Sequence, residues 1–405
     1  MTTMAPADLA DPATFEHEPP WEHFADLREQ GVTWQSAPGR RGPGFWVLTR
    51  HADVVAANRD AATFSSGRGG TMMEDRDPQG DNSDSLLMLN NDPPHHTRLR
   101  RLVNRGFTPK MVASLHHRVR EIAVELIDTA IDEQRAGREI DFVESLAAEL
   151  PLQMIAELLG VPRHDRSKLF DWSNRLIGFD DPEFNNTPED SLAAAAEMWA
   201  YANELAQRHR AAPANDIVGA LLEGEVDGER LTEMEYNMFF LLLSVAGNET
   251  TRNAISHGAL AFMRNPDQWQ LLRDRPELIP SAVEEIIRWA TPVMYFRRTA
   301  TCDTELGGQL IREGEKVTLW YLAANRDERV FDRPHAFDIT RDPNEHVAFG
   351  GGGPHFCLGA SLARLEIAVM FDELVTRAPG LTLAGDPRRL RSNFINGIKQ
   401  LPVRL

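Results

Sequence analysis

A cysteine closes a glycine-rich loop late in the chain. The loop runs from Phe349 through Gly350, Gly351, Gly352, Gly353, Pro354, His355 and Phe356 to Cys357, Leu358 and Gly359. Consecutive glycines let backbone approach something large and flat without side-chain clashes. An apolar-periodic stretch follows, so Cys357 is expected to start a helix that ends at Arg377, where N–H groups and the helix dipole favour the thiolate. Three chemistries compete for such a loop. A phosphate-binding loop is weakened because no Lys-Ser/Thr pair follows the glycines. A nucleophilic cysteine would need His355 as its base, and that side chain has no evident orienting acid. A single axial thiolate to a metal fits best, and zinc is disfavoured because no spaced second, third and fourth ligands complete a tetrahedral site.

A second group with chemical potential is Ala246, Gly247, Asn248, Glu249, Thr250, Thr251 and Arg252, which follows the apolar run Met238 to Gly247. The surrounding helix, Leu231 to Met263, is expected to span roughly 50 Å and to cross the core. Two readings stand side by side. In one, the polar end simply emerges into solvent. In the other, Gly247 and the adjacent acid and hydroxyls line a buried cavity where the helix is locally distorted.

The elements that must position these residues are mostly helical. Helices are expected over Trp21 to Gln30, His51 to Asn58, His96 to Arg105, Lys110 to Glu133, Val143 to Leu159, Arg166 to Leu176, Ser191 to Ala211, Pro266 to Leu272 and Pro276 to Trp289. Thr108-Pro109, Asn265-Pro266 and Arg275-Pro276 mark helix starts. Strands are few: Gly44 to Thr49, Val293 to Thr299, Lys316 to Trp320, Leu381 to Ala384 and Leu401 to Leu405. No repeat or Gly/Ser linker divides the chain, so residues 1–405 read as one mainly α domain with small β-sheets.

The 405 residues carry a formal charge of -18, a poor match for nucleic acid or an anionic membrane face. The most apolar run is about half of the ~20 residues that cross a bilayer, and the start lacks a signal-peptide pattern, so no transmembrane anchor is expected. Two cysteines in a chain this long fit a reducing cytoplasm. Cys302 reads as inert. His17/His23 and His116/His117 lack metal spacing and read as exposed.

The cysteine loop resembles the haem-ligand signature of the cytochrome P-450 monooxygenases, soluble bacterial class, and three further segments match that family in order. The resemblance implies a P-450 fold with the long central helix over a haem b held by Cys357. Glu285 and Arg288 resemble the family's Glu-x-x-Arg motif. Alone this is a common surface pair worth about a few tenths of a kcal/mol; in the family it is a buried lock, completed here by Arg341. Ala246 to Thr251 is similar to the oxygen-activation motif. Its chemistry delivers protons to dioxygen in a dry site, with Thr250 matching the relay hydroxyl and Glu249 a solvent-connected acid. Within Asp92 to Arg101, His96 and Arg100 belong by resemblance to a propionate-binding set with Arg298 and His355. Gly353, His355 and Gly359 keep their usual offsets from the cysteine. Phe349 stands one position further away than usual, because the loop carries one extra glycine.

No flavin, nicotinamide or iron–sulfur fingerprint is present, so the resemblance implies electrons from a ferredoxin and an NAD(P)H-dependent ferredoxin reductase. The expected docking stretch is Arg98, Arg100, Arg101, Arg105 and Lys110. Around Asn248 and Glu249 the sequence looks like bacterial members that hydroxylate terminal methyls of methyl-branched lipids and steroid side chains. By family position the pocket walls include Leu89, Leu242, Ala246, Val293, Met294 and Ile395. The implied activity is omega-hydroxylation of a branched fatty acid, isoprenoid or sterol side chain with O2. Hydroxylation of a terpenoid or polyketide intermediate is the alternative, and a non-catalytic haem-thiolate sensor or carrier the alternative of another class. Glu249 and Thr250 disfavour the sensor, which has no need of a proton relay.

Overall fold

The protein is described by a computed structural model covering residues 7–37, 42–75, 83–104, 107–177, 180–184, 187–212, 217–226 and 228–405. Arg105 lies outside the described residues. The central helix is Glu233–Arg264, and it begins with a reciprocal cap: the Glu235 N–H donates to the Thr232 hydroxyl, and the Thr232 N–H donates to the Glu235 carboxylate. Its 32 residues span about 48 Å. The helices Glu149–Leu158, Arg166–Ile177, Pro188–Ala211, Ile279–Ala290 and Ala360–Arg377 pack against it.

Two expectations for this helix are corrected. Its polar run does not emerge into solvent, since every residue from Asn248 to Phe262 except Thr250 is buried. Nor is it distorted at Gly247; it stays α-helical throughout. Small polar side chains turn onto the helix's own carbonyls instead. Thr250 Oγ1 donates to Ala246 O at 2.8 Å, and Asn253 Nδ2 to Glu249 O at 2.9 Å. Gly247 serves close approach, because a Cβ there would sit 2.9 Å from Ile155 Cδ1.

Other expected helices form with altered ends. The run from Lys110 breaks at Leu115 into Pro109–Ser114 and His116–Arg135, and the run from Val143 opens with a π-helical segment, Val143–Ala147. The helix after the cysteine loop begins at Ala360, not at Cys357. The reason is local: the Cys357 N–H donates back to Phe349 O at 2.9 Å, which commits the cysteine backbone to the loop.

The main sheet has five strands in the order Thr33–Ser36, Gly44–Leu48, Lys316–Trp320, Tyr295–Ala300 and Phe64–Ser65. Only the Gly44–Leu48 and Lys316–Trp320 pair is parallel. The strand expected from Val293 starts at Tyr295, and Val293 makes an isolated bridge to Ile395. Pro402–Arg404 pairs with Thr382–Leu383 on one side and Ile140–Asp141 on the other, tying the end of the chain to its helical core. Among the described residues, no helix is long and apolar enough to cross a membrane.

Candidate active site

A cavity lies between the central helix, the cysteine loop, the segment His95–Asn104 and the strand Tyr295–Ala300. The four glycines Gly350 to Gly353 all take positive φ, from 61° to 103°, a region an L side chain resists. Gly353 does not reach the cavity. It presses on the end of the helix His51–Arg59, where a Cβ would fall 2.4 Å from Asn58 O. Asn58 in turn fastens the loop: its Nδ2 donates to Gly350 O at 2.6 Å, while Arg298 and the Tyr321 hydroxyl both donate to its Oδ1 at 3.2 Å.

Cys357 opens onto this cavity, with Gly359 beside it. Burial pushes its thiol up, against the pull of the Gly359 and Ala360 N–H groups and the charges of Arg100 and Arg364. The side chain is itself accessible where it opens onto the cavity, and the Gly359 and Ala360 N–H groups favour the thiolate there as expected. Phe349 also lines the cavity. Its ring lies 6.2 Å from that of Phe356 and under the Arg364 guanidinium at 4.6 Å, so the extra glycine leaves the aromatic packed against the loop.

His96, Arg100, Arg298 and His355 meet on one rim of the cavity. The His96 and His355 rings lie 4.2 Å apart. Burial, then Arg100, lowers His96 to about 4; burial, then Arg298, lowers His355 to about 2. His96 Nδ1 is buried without a partner among the described residues. The nearby Asp92 carboxylate is occupied elsewhere, accepting from the Ser65 hydroxyl and the Ser66 and Gly67 N–H groups.

Thr250 faces the cavity, and Glu249 does not. Glu249 is buried and ion-paired with Arg252, which extends to Asn174 Oδ1 at 3.5 Å. Burial raises its carboxyl pKa, and Arg252 opposes that rise. The acid expected to connect with solvent is itself buried, and its polar contact is Arg252. Glu285 and Arg288 form a buried bidentate pair at 2.8 Å, and Arg341 Nε reaches Glu285 at 3.2 Å. The three expected partners converge.

Leu89, Leu242, Ala246 and Val293 line the cavity, as expected; Met294 and Ile395 do not. Val293 and Phe296 line the cavity, whereas Met294 packs with Phe15 and Trp320; the segment is not regular strand before Tyr295, so simple alternation does not assign its sides. Ile395 is buried behind its bridge to Val293. The basic stretch also shrinks. Arg98 pairs with Glu229 and Glu235, Arg100 lines the cavity, and Arg101 and Lys110 remain exposed. Cys302 is exposed, and His23 is half-buried rather than exposed.

The cytochrome P450 family profile matches residues 14–377. The chain belongs to the cytochrome P450 family. It is 45% identical over 405 residues to a steroid C26-monooxygenase of Rhodococcus jostii (strain RHA1), covering 98% of this chain and 84% of that protein. It is 47% identical over 390 residues to a methyl-branched lipid omega-hydroxylase of Mycobacterium tuberculosis (strain ATCC 25618 / H37Rv), covering 94% and 90%. Among solved structures it is similar to a Mycobacterium marinum cytochrome P450 in complex with pseudoionone, with a TM-score of 0.90, 38% identity and 100% of both chains covered.

Membership implies a haem cofactor and monooxygenase chemistry, and the residues of this P450 fit such a group. A thiol opens onto a mostly apolar cavity, and the rim gathers four cationic or donor side chains, none of them ion-paired with a carboxylate among the described residues. An apolar macrocycle bearing carboxylates meets both demands. The motifs had missed Asn58, which ends an ordinary helix and carries no signal. They also missed Glu366, a buried acid lining the cavity whose Oε2 has no partner among the described residues. A signal for Glu366 does exist: it interrupts the apolar stripe of Leu362 and Met370 at four-residue spacing.

Proposed function

We propose that this P450 hydroxylates the terminal carbon of a methyl-branched apolar chain, such as a branched fatty acid, an isoprenoid or a sterol side chain. The observation that carries the proposal is the cavity itself. Beyond the rim its wall is Met88, Leu89, Leu242, Val293 and Phe296, and Thr250 supplies a hydroxyl on the central helix. Such a wall orients a hydrocarbon by shape rather than by hydrogen bonds. The named activities of the Rhodococcus and Mycobacterium tuberculosis relatives support it.

Haem b, when bound, supplies dioxygen activation and the oxidising power for attack on a C–H bond. Cys357 holds the metal as its thiolate, since coordination deprotonates a thiol that burial otherwise keeps neutral. His96, Arg100, Arg298 and His355 bind the carboxylate edge. Glu285, Arg288 and Arg341 lock the fold behind the site, and Phe349 and Gly359 shape the loop beneath it. Thr250 Oγ1 holds the proton to be delivered. Glu249, protonated from solvent when its ion pair with Arg252 opens, returns a proton to that hydroxyl, while Arg252 keeps its own charge throughout. Residues 1–405 act as one domain in the cytoplasm, fed by a ferredoxin and its NAD(P)H-dependent reductase. Docking rests on the exposed Arg101 and Lys110.

The test is a spectral and product screen of the haem-loaded protein with phytanic acid, farnesol-type alcohols, cholestenone and pseudoionone. A low-to-high-spin shift and a terminally hydroxylated product are expected from at least one branched chain. Oxidation confined to internal carbons, or no shift with any of them, overturns the reading. A terpenoid substrate is the second reading, favoured by the pseudoionone bound to the Mycobacterium marinum neighbour. Selective turnover of pseudoionone over the lipids would decide for it.

A further inference from the structure

Beneath the cysteine loop lies a charged pair that no motif singled out. Arg364, on the helix Ala360–Arg377, donates from Nε and Nη2 to the two oxygens of Glu284 at 2.6 and 2.8 Å. Glu284 stands one residue before the Glu285 lock, on the helix Ile279–Ala290. His346 Nε2 lies 3.1 Å from the same carboxylate. The Arg364 guanidinium stacks over the Phe349 ring at 4.6 Å, close enough for a cation–π contact. Phe349 is the residue whose carbonyl accepts the Cys357 N–H. One ion pair therefore bears directly on the loop that presents the thiol.

We infer that Glu284 and Arg364, seated on Phe349, are positioning residues that set the electrostatic potential at Cys357 and so the reduction potential of the haem. The inference rests on the proposed ligation by Cys357. Each partner has a defined sign. Reduction adds an electron at the metal, so a nearby cation favours the reduced state and a nearby carboxylate disfavours it. Arg364 raises the potential and Glu284 lowers it, with the pair holding them near balance. Burial pushes Glu284 up, but Arg364 and His346 outweigh it and hold the carboxyl at about 2, so the pair stays ionised through the neutral range.

The experiment is a redox titration of the haem-loaded protein with Arg364→Gln, Glu284→Gln, the double variant and Arg364→Lys. Arg364→Gln should lower the potential and Glu284→Gln should raise it, each by a several-fold change in the reduced-to-oxidised ratio at fixed applied potential. The double variant should return towards the parent, and Arg364→Lys should keep most of the parent value. If Arg364→Gln takes up no haem, the sign for Glu284→Gln decides alone. Shifts of the same sign in both single variants, or none in either, overturn the inference while the thiolate-type carbon monoxide spectrum persists. A parent protein lacking that spectrum instead overturns ligation by Cys357, and the inference with it.

Discussion

Glu285–Arg288 and Glu249–Arg252 have the same spelling, an acid and an arginine three residues apart on a helix, and both pairs are buried. Their surroundings differ. Both Glu285 oxygens are saturated by Arg288, Arg341, Asn344 and the Asp338 N–H, and Arg288 also donates to the carbonyls of Asn325, Pro334 and Ala336. Around Glu249, its own Oε1, Arg252 Nε, both polar atoms of Asn248 and Ser173 Oγ have no partner among the described residues. A satisfied buried pair resists change, because each charge is compensated several times over. In the under-satisfied pair burial raises the acid's pKa while Arg252 opposes the rise, which favours its taking up a proton. The first suits a lock and the second a relay, although sequence spacing alone makes them alike.

The largest expected effect breaks the lock. Glu285→Ala leaves two buried guanidiniums without their carboxylate and should cost about 3–5 kcal/mol in chemical denaturation, with poor haem retention. Glu249→Gln should do the reverse. The amide still accepts from Arg252 but no longer offsets its charge, so denaturation should shift by about 1–3 kcal/mol, less than for Glu285→Ala, while substrate-dependent turnover falls on the order of 100-fold and more of the consumed NADPH ends as peroxide. Equal destabilisation by the two substitutions would remove the distinction.

How much of this could be read in the chain follows from the same contrast. Cys357, the Glu285–Arg288–Arg341 set and the rim of His96, Arg100, Arg298 and His355 were legible because each sits in a motif whose members the fold brings together. The central helix was legible from its length and apolar middle. Of its two readings for the polar stretch, emergence into solvent fails, because burial by five surrounding helices is a tertiary fact that local polarity does not report; the buried cavity is found, lined by Gly247, Thr250 and Thr251, without the helix distortion and without Glu249. Met294 and Ile395 were misplaced because both lie in irregular backbone joined by the single bridge Val293–Ile395, where no strand period assigns the sides. Arg98 lost its place on the docking face to Glu229 and Glu235, more than 130 positions along the chain.

Glu366 sharpens the comparison from the opposite side of the site. It belongs to the helix that follows the cysteine loop, in a well-bonded region, yet its Oε2 lacks a partner among the described residues and no cation offsets its burial. Burial alone lifts its pKa from the ordinary carboxyl range to about 8. A carboxyl with a raised folded pKa contributes stability that is full below the unfolded value and is lost as pH rises through the folded one. Stability should therefore fall by about 2 kcal/mol between pH 6 and pH 8 from this group alone. Glu366→Gln keeps the shape and neutrality of the protonated acid, so it should match the parent near pH 5 and lose that slope at higher pH. Denaturant midpoints of the haem-loaded protein across this range provide the check. A parent slope unchanged by the substitution would mean that Glu366 is compensated after all, and so belongs with Glu285 rather than with Glu249.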